Sequence, residues 1–122
     1  MAEITTVHRP AGIHLLADLH GIDASLLTDA GRIDTLLREA ALAAGARILH
    51  SHFHTFGPGM GITGVLLLAE SHISIHTWPE VGFAAADIFM CGAAQPHLAL
   101  EVIDAALAPN TREVKIVERG QL

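Results

Sequence analysis

The chain has 122 residues, a single cysteine, 51% hydrophobic residues and a formal net charge of −6 at pH 7. This length suits one domain of ordinary size, so we expect a single domain over residues 1–122. The acidic balance argues against nucleic acid or an anionic membrane as the main partner.

Hydropathy and cysteine content indicate the expected compartment and oligomeric state of the protein. No apolar run approaches the ~18 residues that a membrane span needs. A mean hydropathy of +0.44 is high for a small monomer and favours a homo-oligomer with a buried interface. Residues 1–6 lack the basic start and apolar core of a signal peptide. Because a lone cysteine cannot form an intrachain disulfide, we expect a cytoplasmic protein.

The first half of the chain predicts two strands flanking a helix, followed by a third strand. Alternation predicts a strand over 12–20. Residues 23–44 carry apolar side chains at i, i+3 and i+4 spacing, which predicts an amphipathic helix with a loop expected near Gly31. Gly45 stands where a helix-terminating glycine belongs. Strands are predicted over 47–55 and 63–69, joined by the glycine-rich turn 57–61.

The second half continues with strands over 73–78 and 83–90, a helix over 95–108 and a strand over 112–118. The order is therefore β-α-β-β, then β-β-α-β. Strands and helices mixed in this way indicate an α+β fold, a two-layer sandwich with the helices on one face of a mainly antiparallel sheet.

Residues 70–80 concentrate chemistry that a core-filling strand does not need. They contain a Glu70-Ser71 peptide bond, the imidazoles of His72 and His76, and the carboxylate of Glu80. A serine can attack an adjacent peptide carbonyl when a base and a polarised carbonyl are provided. The residue types alone fit both nucleophilic chemistry and an ordinary hydrogen bond between a serine and a histidine near a turn.

These residues and several flanking motifs resemble the bacterial S-adenosylmethionine decarboxylase proenzymes, a pyruvoyl-dependent and self-processing family. The resemblance extends over most of the chain, through residues 12–18, 45–46, 52–56, 61–65, 70–80 and 85–92. It implies a duplicated β-α-β-β unit and homodimers with shared active sites. It also implies cleavage between Glu70 and Ser71 into fragments 1–70 and 71–122, with Ser71 as the source of a covalent pyruvoyl cofactor.

The resemblance assigns further roles around that bond. His76 matches the base for processing, and Thr63 matches a position, usually serine, that supports processing. Cys91 matches the proton donor of the decarboxylation, in which the pyruvoyl ketone forms a Schiff base with the substrate amine. Glu80 matches a carboxylate that holds the ribose hydroxyls, although a carboxylate after a proline is also common in solvated turns.

Two aromatic residues complete the candidate substrate site. Phe53 and Phe56 can stack on an adenine, since aromatic faces suit flat bases, but both also suit a hydrophobic core. The implied reaction is decarboxylation of S-adenosylmethionine to supply spermidine synthesis. The loop 56–63 is one residue longer than is usual in the family, which leaves arginine or ornithine open as substrates.

One spacing conflicts with a simple site. In a straight strand residues 71 and 76 point to opposite faces and lie roughly 16 Å apart. The backbone must therefore reverse or bulge between Ser71 and His76, or the strand must end near Ser71.

A different class of function rests on the alternating His50, His52 and His54, which share one face of the second predicted strand. Imidazoles grouped in this way can bind zinc or another transition metal. With one cysteine and no cysteine pair, a metal-binding or regulatory module is the weaker alternative, and we expect no metal site.

Overall fold

The computed structural model describes residues 10–121. Six strands and two helices account for most of this range. They are β1 (Gly12–His20), α1 (Ala30–Ala43), β2 (Ile48–Thr55), β3 (Ile62–Leu68), β4 (Ser71–Trp78), β5 (Phe83–Cys91), α2 (Pro96–Leu107) and β6 (Thr111–Arg119). Short 3-10 helices cover Ala24–Leu27 and Pro79–Val81. The predicted order of strands and helices is confirmed.

All six strands form one antiparallel sheet in the order β2-β3-β4-β5-β1-β6. Strands β2 to β5 are sequential neighbours, whereas β1 lies between β5 and β6. The predicted α+β sandwich is therefore confirmed, because both helices pack on one face of this sheet and against each other.

Alternation along the strands determines which residues are buried under the helices. In β1, β3, β4 and β5 every second side chain points to the helices; we call this side of the sheet the helix face. Its fully buried large side chains, together with those that the helices contribute, are Leu19, Leu27, Ile33, Leu37, Ile62, Leu66, Ile73, Ile75, Ile88, Met90 and Ile103. Burial of a Leu or Ile side chain contributes roughly 1.5–3 kcal/mol, so this layer supplies the main hydrophobic stabilisation.

The helical stretch predicted over 23–44 is interrupted, as expected near Gly31: a 3-10 helix over Ala24–Leu27 is followed by α1, which begins at Ala30. The break falls at Thr28 and Asp29, just before Gly31. Asp29 has extended backbone angles, and its side chain accepts a hydrogen bond of 3.1 Å from the Arg32 N–H. An aspartate in this position caps a new helix. Gly45, with φ of +84°, follows the end of α1 as predicted.

The opposite side of the sheet, which we call the far face, is not covered by the helices. Cross-strand registers place every strand histidine of residues 10–121 on it, namely His14, His20, His50, His52, His54, His72 and His76. Leu16, Leu67, Trp78 and Val117 also lie there and are 36–44% exposed. The far face is thus a mixture of imidazoles and exposed apolar side chains.

None of the helices within residues 10–121 is both long and apolar enough to cross a bilayer.

Candidate active site

The Glu70-Ser71 bond lies in the tight turn between β3 and β4. Leu68 pairs with Ser71, so Ala69 and Glu70 form a two-residue connection. Glu70 has φ of +61°, a left-handed conformation that is unusual for a residue with a Cβ. Holding a non-glycine residue there costs about 1–3 kcal/mol, and such residues concentrate at functional sites. Ser71 is the first residue of β4, two residues earlier than predicted.

Cys91, at the end of β5, contacts both residues of this bond. Its thiol donates a hydrogen bond of 3.4 Å to the Glu70 carbonyl oxygen, and its backbone N–H donates one of 3.3 Å to Ser71 Oγ. The first contact polarises the carbonyl that Ser71 would attack, and the second positions the attacking oxygen. The predicted residues Glu70, Ser71 and Cys91 are therefore brought together.

The thiol of Cys91 is held in its protonated form. Burial raises its pKa, the negative charge of Glu70 raises it further, and the hydrogen bond with Ser71 lowers it by less. The side chain is only 8% exposed. A buried protonated thiol suits a proton donor better than a nucleophile, because the thiolate is the nucleophilic form.

A cavity of about 370 Å³ opens beside this group of residues. Arg47, Glu70, Ser71 and Cys91 line it together with small residues such as Ala69 and Ala93. We call it the cleavage cavity. These small residues leave space next to residue 71.

His76 and Thr63 lie together elsewhere, near the other end of β4. They are direct cross-strand partners, and Thr63 Oγ1 lies 3.1 Å from His76 Nδ1. A second cavity, of about 280 Å³, is lined by these two residues and by Phe56, Trp78 and Glu80. We call it the histidine cavity.

The spacing conflict between Ser71 and His76 persists in the folded chain. Strand β4 runs from Ser71 to Trp78 with continuous pairing to both neighbours, so the backbone neither reverses nor bulges between the two residues. At about 3.3 Å per residue they lie roughly 16 Å apart, on opposite faces of the sheet. The predicted catalytic residues are therefore divided between two cavities of one chain.

Comparison with known proteins addresses the family directly. The S-adenosylmethionine decarboxylase family model matches residues 13–120. A curated S-adenosylmethionine decarboxylase proenzyme from Sulfurihydrogenibium sp. (strain YO3AOP1) is 45% identical over 115 residues, which cover 93% of this chain and 86% of the relative. The chain belongs to the S-adenosylmethionine decarboxylase family.

The fold agrees with a solved member of that family. In the crystal structure of the adenosylmethionine decarboxylase from Aquifex aeolicus VF5, the matched chain gives a TM-score of 0.83 at 41% identity. The match covers 91% of this chain and 92% of that one. A proenzyme from Persephonella marina (strain DSM 14350 / EX-H1) is 44% identical over 93% of this chain.

Phe53 and Phe56, both considered for adenine stacking, occupy different environments. Phe56 is 58% exposed and lines the histidine cavity beside Glu80. Phe53 is on the helix face, packs against the core, and lies over Gly64, where an added Cβ would come within 2.1 Å of the ring. For Phe53 the geometry agrees with the core-filling alternative.

Two residues of the histidine cavity, Met60 and Trp78, were missed by sequence reasoning. Trp78 follows His76 by two residues, so strand alternation alone places both on one face. That signal was available in the sequence. Met60 lies on the loop before β3, and no periodic pattern predicts where a loop side chain points.

The histidines proposed as an alternative metal site do not form one. Within residues 10–121, no three His, Cys, Asp or Glu side chains are grouped as a metal ion would require. His50, His52 and His54 lie along the far face of the edge strand β2.

A polar group on the centre of the far face was not predicted. His14 Nε2 lies 3.8 Å from Asp87 Oδ1, and the rings of His14 and His72 are 6.0 Å apart in an edge-on arrangement. Burial lowers the pKa of His72, and its neighbour His14 lowers it further, whereas Asp87 raises it. His72 is therefore kept mainly neutral at pH 7.

Proposed function

We propose that this protein is a self-cleaving proenzyme that becomes a pyruvoyl-dependent S-adenosylmethionine decarboxylase. The observation that carries the proposal is the hydrogen bonding of Cys91 to both sides of the Glu70-Ser71 bond, at 3.4 Å and 3.3 Å. Membership of the decarboxylase family supports it. The product would supply aminopropyl groups for spermidine synthesis.

Self-cleavage follows from the groups at the turn. Ser71 Oγ attacks the Glu70 carbonyl carbon, and the Cys91 thiol stabilises negative charge on the carbonyl oxygen. The C–N bond breaks and leaves an ester between the two residues. A base then removes the Ser71 α-proton. The bond between Ser71 Cβ and the ester oxygen breaks, so that Glu70 leaves as a carboxylate. Hydrolysis of the resulting dehydroalanine releases ammonia and leaves fragments 1–70 and 71–122, the second beginning with a pyruvoyl group.

The pyruvoyl group would supply an electron sink for the bond pair left when carbon dioxide departs from the substrate. The protein's own residues would orient the substrate and deliver a proton. Cys91 is suited to that delivery because its raised pKa keeps the thiol protonated, and because it lines the cavity beside residue 71. A reduced thiol is also what the expected cytoplasmic location provides.

No histidine lines the cleavage cavity among the described residues, and we propose that a second copy of the chain supplies the base. Within one chain His76 is about 16 Å from Ser71, too far for proton transfer. Cys91 occupies a far-face position at the end of β5. A copy packed on the far face with its β4 reversed would therefore bring its own histidine cavity to the end of the sheet at which the Glu70-Ser71 bond lies. Two-fold symmetry would build two equivalent sites in this way.

The far face has the composition of such an interface. Its exposed Leu16, Leu67, Trp78 and Val117 would be removed from water by a partner. Imidazoles can stay neutral at pH 7, and thus cost less to bury than Lys or Glu would. The homodimer expected from sequence is therefore the form in which we propose the enzyme works.

The histidine cavity supports S-adenosylmethionine rather than arginine or ornithine as the substrate. Phe56 and Trp78 present aromatic faces on which a flat base can stack. The Glu80 carboxylate lines the same cavity and can accept hydrogen bonds from two ribose hydroxyls. Arginine and ornithine have neither a base nor a ribose, so they would leave both features unused.

Intact mass under denaturing conditions tests the proposal. We expect two fragments divided before residue 71, the second lighter by one ammonia than the same fragment with an N-terminal serine. Cleaved protein should release carbon dioxide from S-adenosylmethionine and not from arginine or ornithine. A single chain that stays whole on incubation would contradict the proenzyme, and turnover of arginine or ornithine alone would contradict the substrate.

A further inference from the structure

One charged residue of the cleavage cavity has no part in the chemistry described above. Arg47 lines this cavity with Glu70, Ser71 and Cys91, and it is the only cationic residue among the described residues that do so. The other lining residues include several alanines and a glycine, so the guanidinium adds most of the positive charge near the cleavage bond. A guanidinium at this place can attract an anionic group formed in the cavity.

The backbone of Arg47 is fixed close to the turn that carries this bond. Gly45 ends α1, and the Ala46 N–H returns a hydrogen bond of 3.0 Å to the Ala41 carbonyl. The next residue is Arg47, whose carbonyl accepts a hydrogen bond of 2.9 Å from the Ala69 N–H. Arg47 is therefore anchored to the residue that immediately precedes Glu70.

Three other arginines of the described residues have partners elsewhere in the fold, and Arg32 lies on the exposed surface of α1. Arg38 bonds to Asp34 and Ser51, and Arg112 pairs with Asp104. Arg119 lies beside His14 and Phe89 on the far face. None of these arginines lines the cleavage cavity, whereas Arg47 and Glu70 both do.

Cleavage changes the charge at this position. Before it, residue 70 carries its side-chain carboxylate and a neutral peptide carbonyl. When the ester C–O bond breaks, its electron pair stays on the Glu70 oxygen and the α-proton of Ser71 goes to the base. Residue 70 then ends in two carboxylates, next to a thiol whose pKa its first charge already raises.

We propose that Arg47 binds the α-carboxylate that self-cleavage creates at Glu70 and so holds the new C-terminus in place. This rests on the proposed function, since without cleavage there is no new carboxylate. A guanidinium can hold a carboxylate through two parallel hydrogen bonds, which fixes orientation as well as charge. Arg47 is then a positioning residue that keeps the end of fragment 1–70 beside Cys91 and clear of residue 71.

A thermodynamic cycle separates this role from a general structural one. Arg47→Met is made in the native sequence and in Ser71→Ala, which cannot be cleaved. Arg32→Met, on the exposed surface of α1 and outside the cavity, serves as the matched control. Intact mass establishes cleavage in each protein before its melting temperature is measured.

We expect Arg47→Met to lower the melting temperature of the cleaved protein by about 4 °C or more, with a much smaller change in the Ser71→Ala background. Arg47→Lys should restore part of the loss, and 1 M salt should reduce it. Arg32→Met should change the melting temperature only slightly, and by the same amount in the native and Ser71→Ala backgrounds.

Two results would overturn the proposal. If Arg47→Met lowered the melting temperature equally in the native and Ser71→Ala backgrounds, or in neither, Arg47 would not recognise the new C-terminus at Glu70. An Arg47→Met protein that stays uncleaved would place Arg47 before the cleavage step and would equally contradict it. Failure of the native chain to cleave is recorded separately by its mass and would count against the proposed function itself.

Discussion

The cleavage cavity and the histidine cavity lie at opposite ends of the same strand and hold complementary halves of one chemistry. The first contains the carbonyl of the Glu70-Ser71 bond, the Ser71 hydroxyl and a protonated thiol, but no imidazole among the described residues that line it. The second contains an imidazole paired with a hydroxyl, aromatic walls and a carboxylate, but no electrophile. Neither cavity can carry out the reaction alone.

The two cavities also differ in what holds them together. The cleavage cavity is built from the β3–β4 turn and the end of β5. All of its contacts therefore form within a single chain. The histidine cavity opens beside the far face, whose exposed apolar side chains would be buried by a second copy of the chain. In the account proposed here, folding of one chain would position the bond for cleavage, and association of two chains would deliver the base.

The largest effect is expected from Ser71→Ala, because it removes the nucleophile of the cleavage cavity. The protein should remain one chain by mass and show no decarboxylase activity, since no pyruvoyl group can form. Ser74→Ala, on the same strand but hydrogen-bonded to Asp87 on the far face, is the matched control and should cleave normally. Cleavage of the Ser71→Ala chain at this bond would refute the assigned nucleophile.

Cys91→Ala should separate cleavage from decarboxylation. Loss of the thiol hydrogen bond to Glu70 should slow cleavage several-fold, while loss of the proton donor should lower kcat by about 10²–10⁴-fold. In the native enzyme the thiol must be protonated, so activity attributable to it should persist at neutral pH and fall as the pH rises through its raised pKa. An unchanged kcat in cleaved Cys91→Ala protein would remove the thiol from the mechanism.

A smaller change is expected in the histidine cavity with Glu80→Gln. Losing a charged hydrogen-bond acceptor for the ribose should raise KM by roughly tenfold with little change in kcat. Steady-state kinetics with the cleaved enzyme measure this, and Glu101→Gln on the exposed surface of α2 is the control. An equal KM in both variants would mean that Glu80 does not contact the substrate.

The smallest effect concerns His72, which belongs to neither cavity. Its pKa is lowered by burial, so the unfolded chain takes up the proton more readily than the folded one. The contribution of His72 to stability should therefore be fully present above pH 6.5, the ordinary pKa of histidine, and should decline as the pH falls below it. His72→Gln should flatten this decline in thermal melts between pH 8 and 5, whereas His97→Gln, exposed on α2, should leave it unchanged.

Much of the fold could be predicted from the sequence, because strands and helices depend on the periodicity of apolar residues and on local capping. Alternation and i, i+3, i+4 spacing predict the six strands and the two α-helices of the described range, and they place the Glu70-Ser71 bond between two strands. The loop expected near Gly31 lies at Thr28 and Asp29, where the Asp29 side chain caps α1 through one hydrogen bond.

The contact of Cys91 with Ser71 could not be obtained from spacing alone, because it depends on how β4 and β5 pair. That pairing aligns His72 with Phe89, which brings residue 91 beside residue 71. The two-residue alternation of a strand predicts that Ser71 and His76 lie apart. Whether they can still share a site depends on how two copies of the chain pack together. Sequence periodicity carries no information on how two copies pack.

The central claim, that the two cavities act together across two copies, is best tested by co-expressing Ser71→Ala and His76→Ala chains with distinct tags. Each variant alone should stay whole. In the mixture, the Ser71→Ala chain supplies His76 and the His76→Ala chain supplies Ser71, so intact mass should show cleavage of the His76→Ala chain only. A mixture in which both chains stay whole, although mixed dimers are isolated through the two tags, would contradict the account.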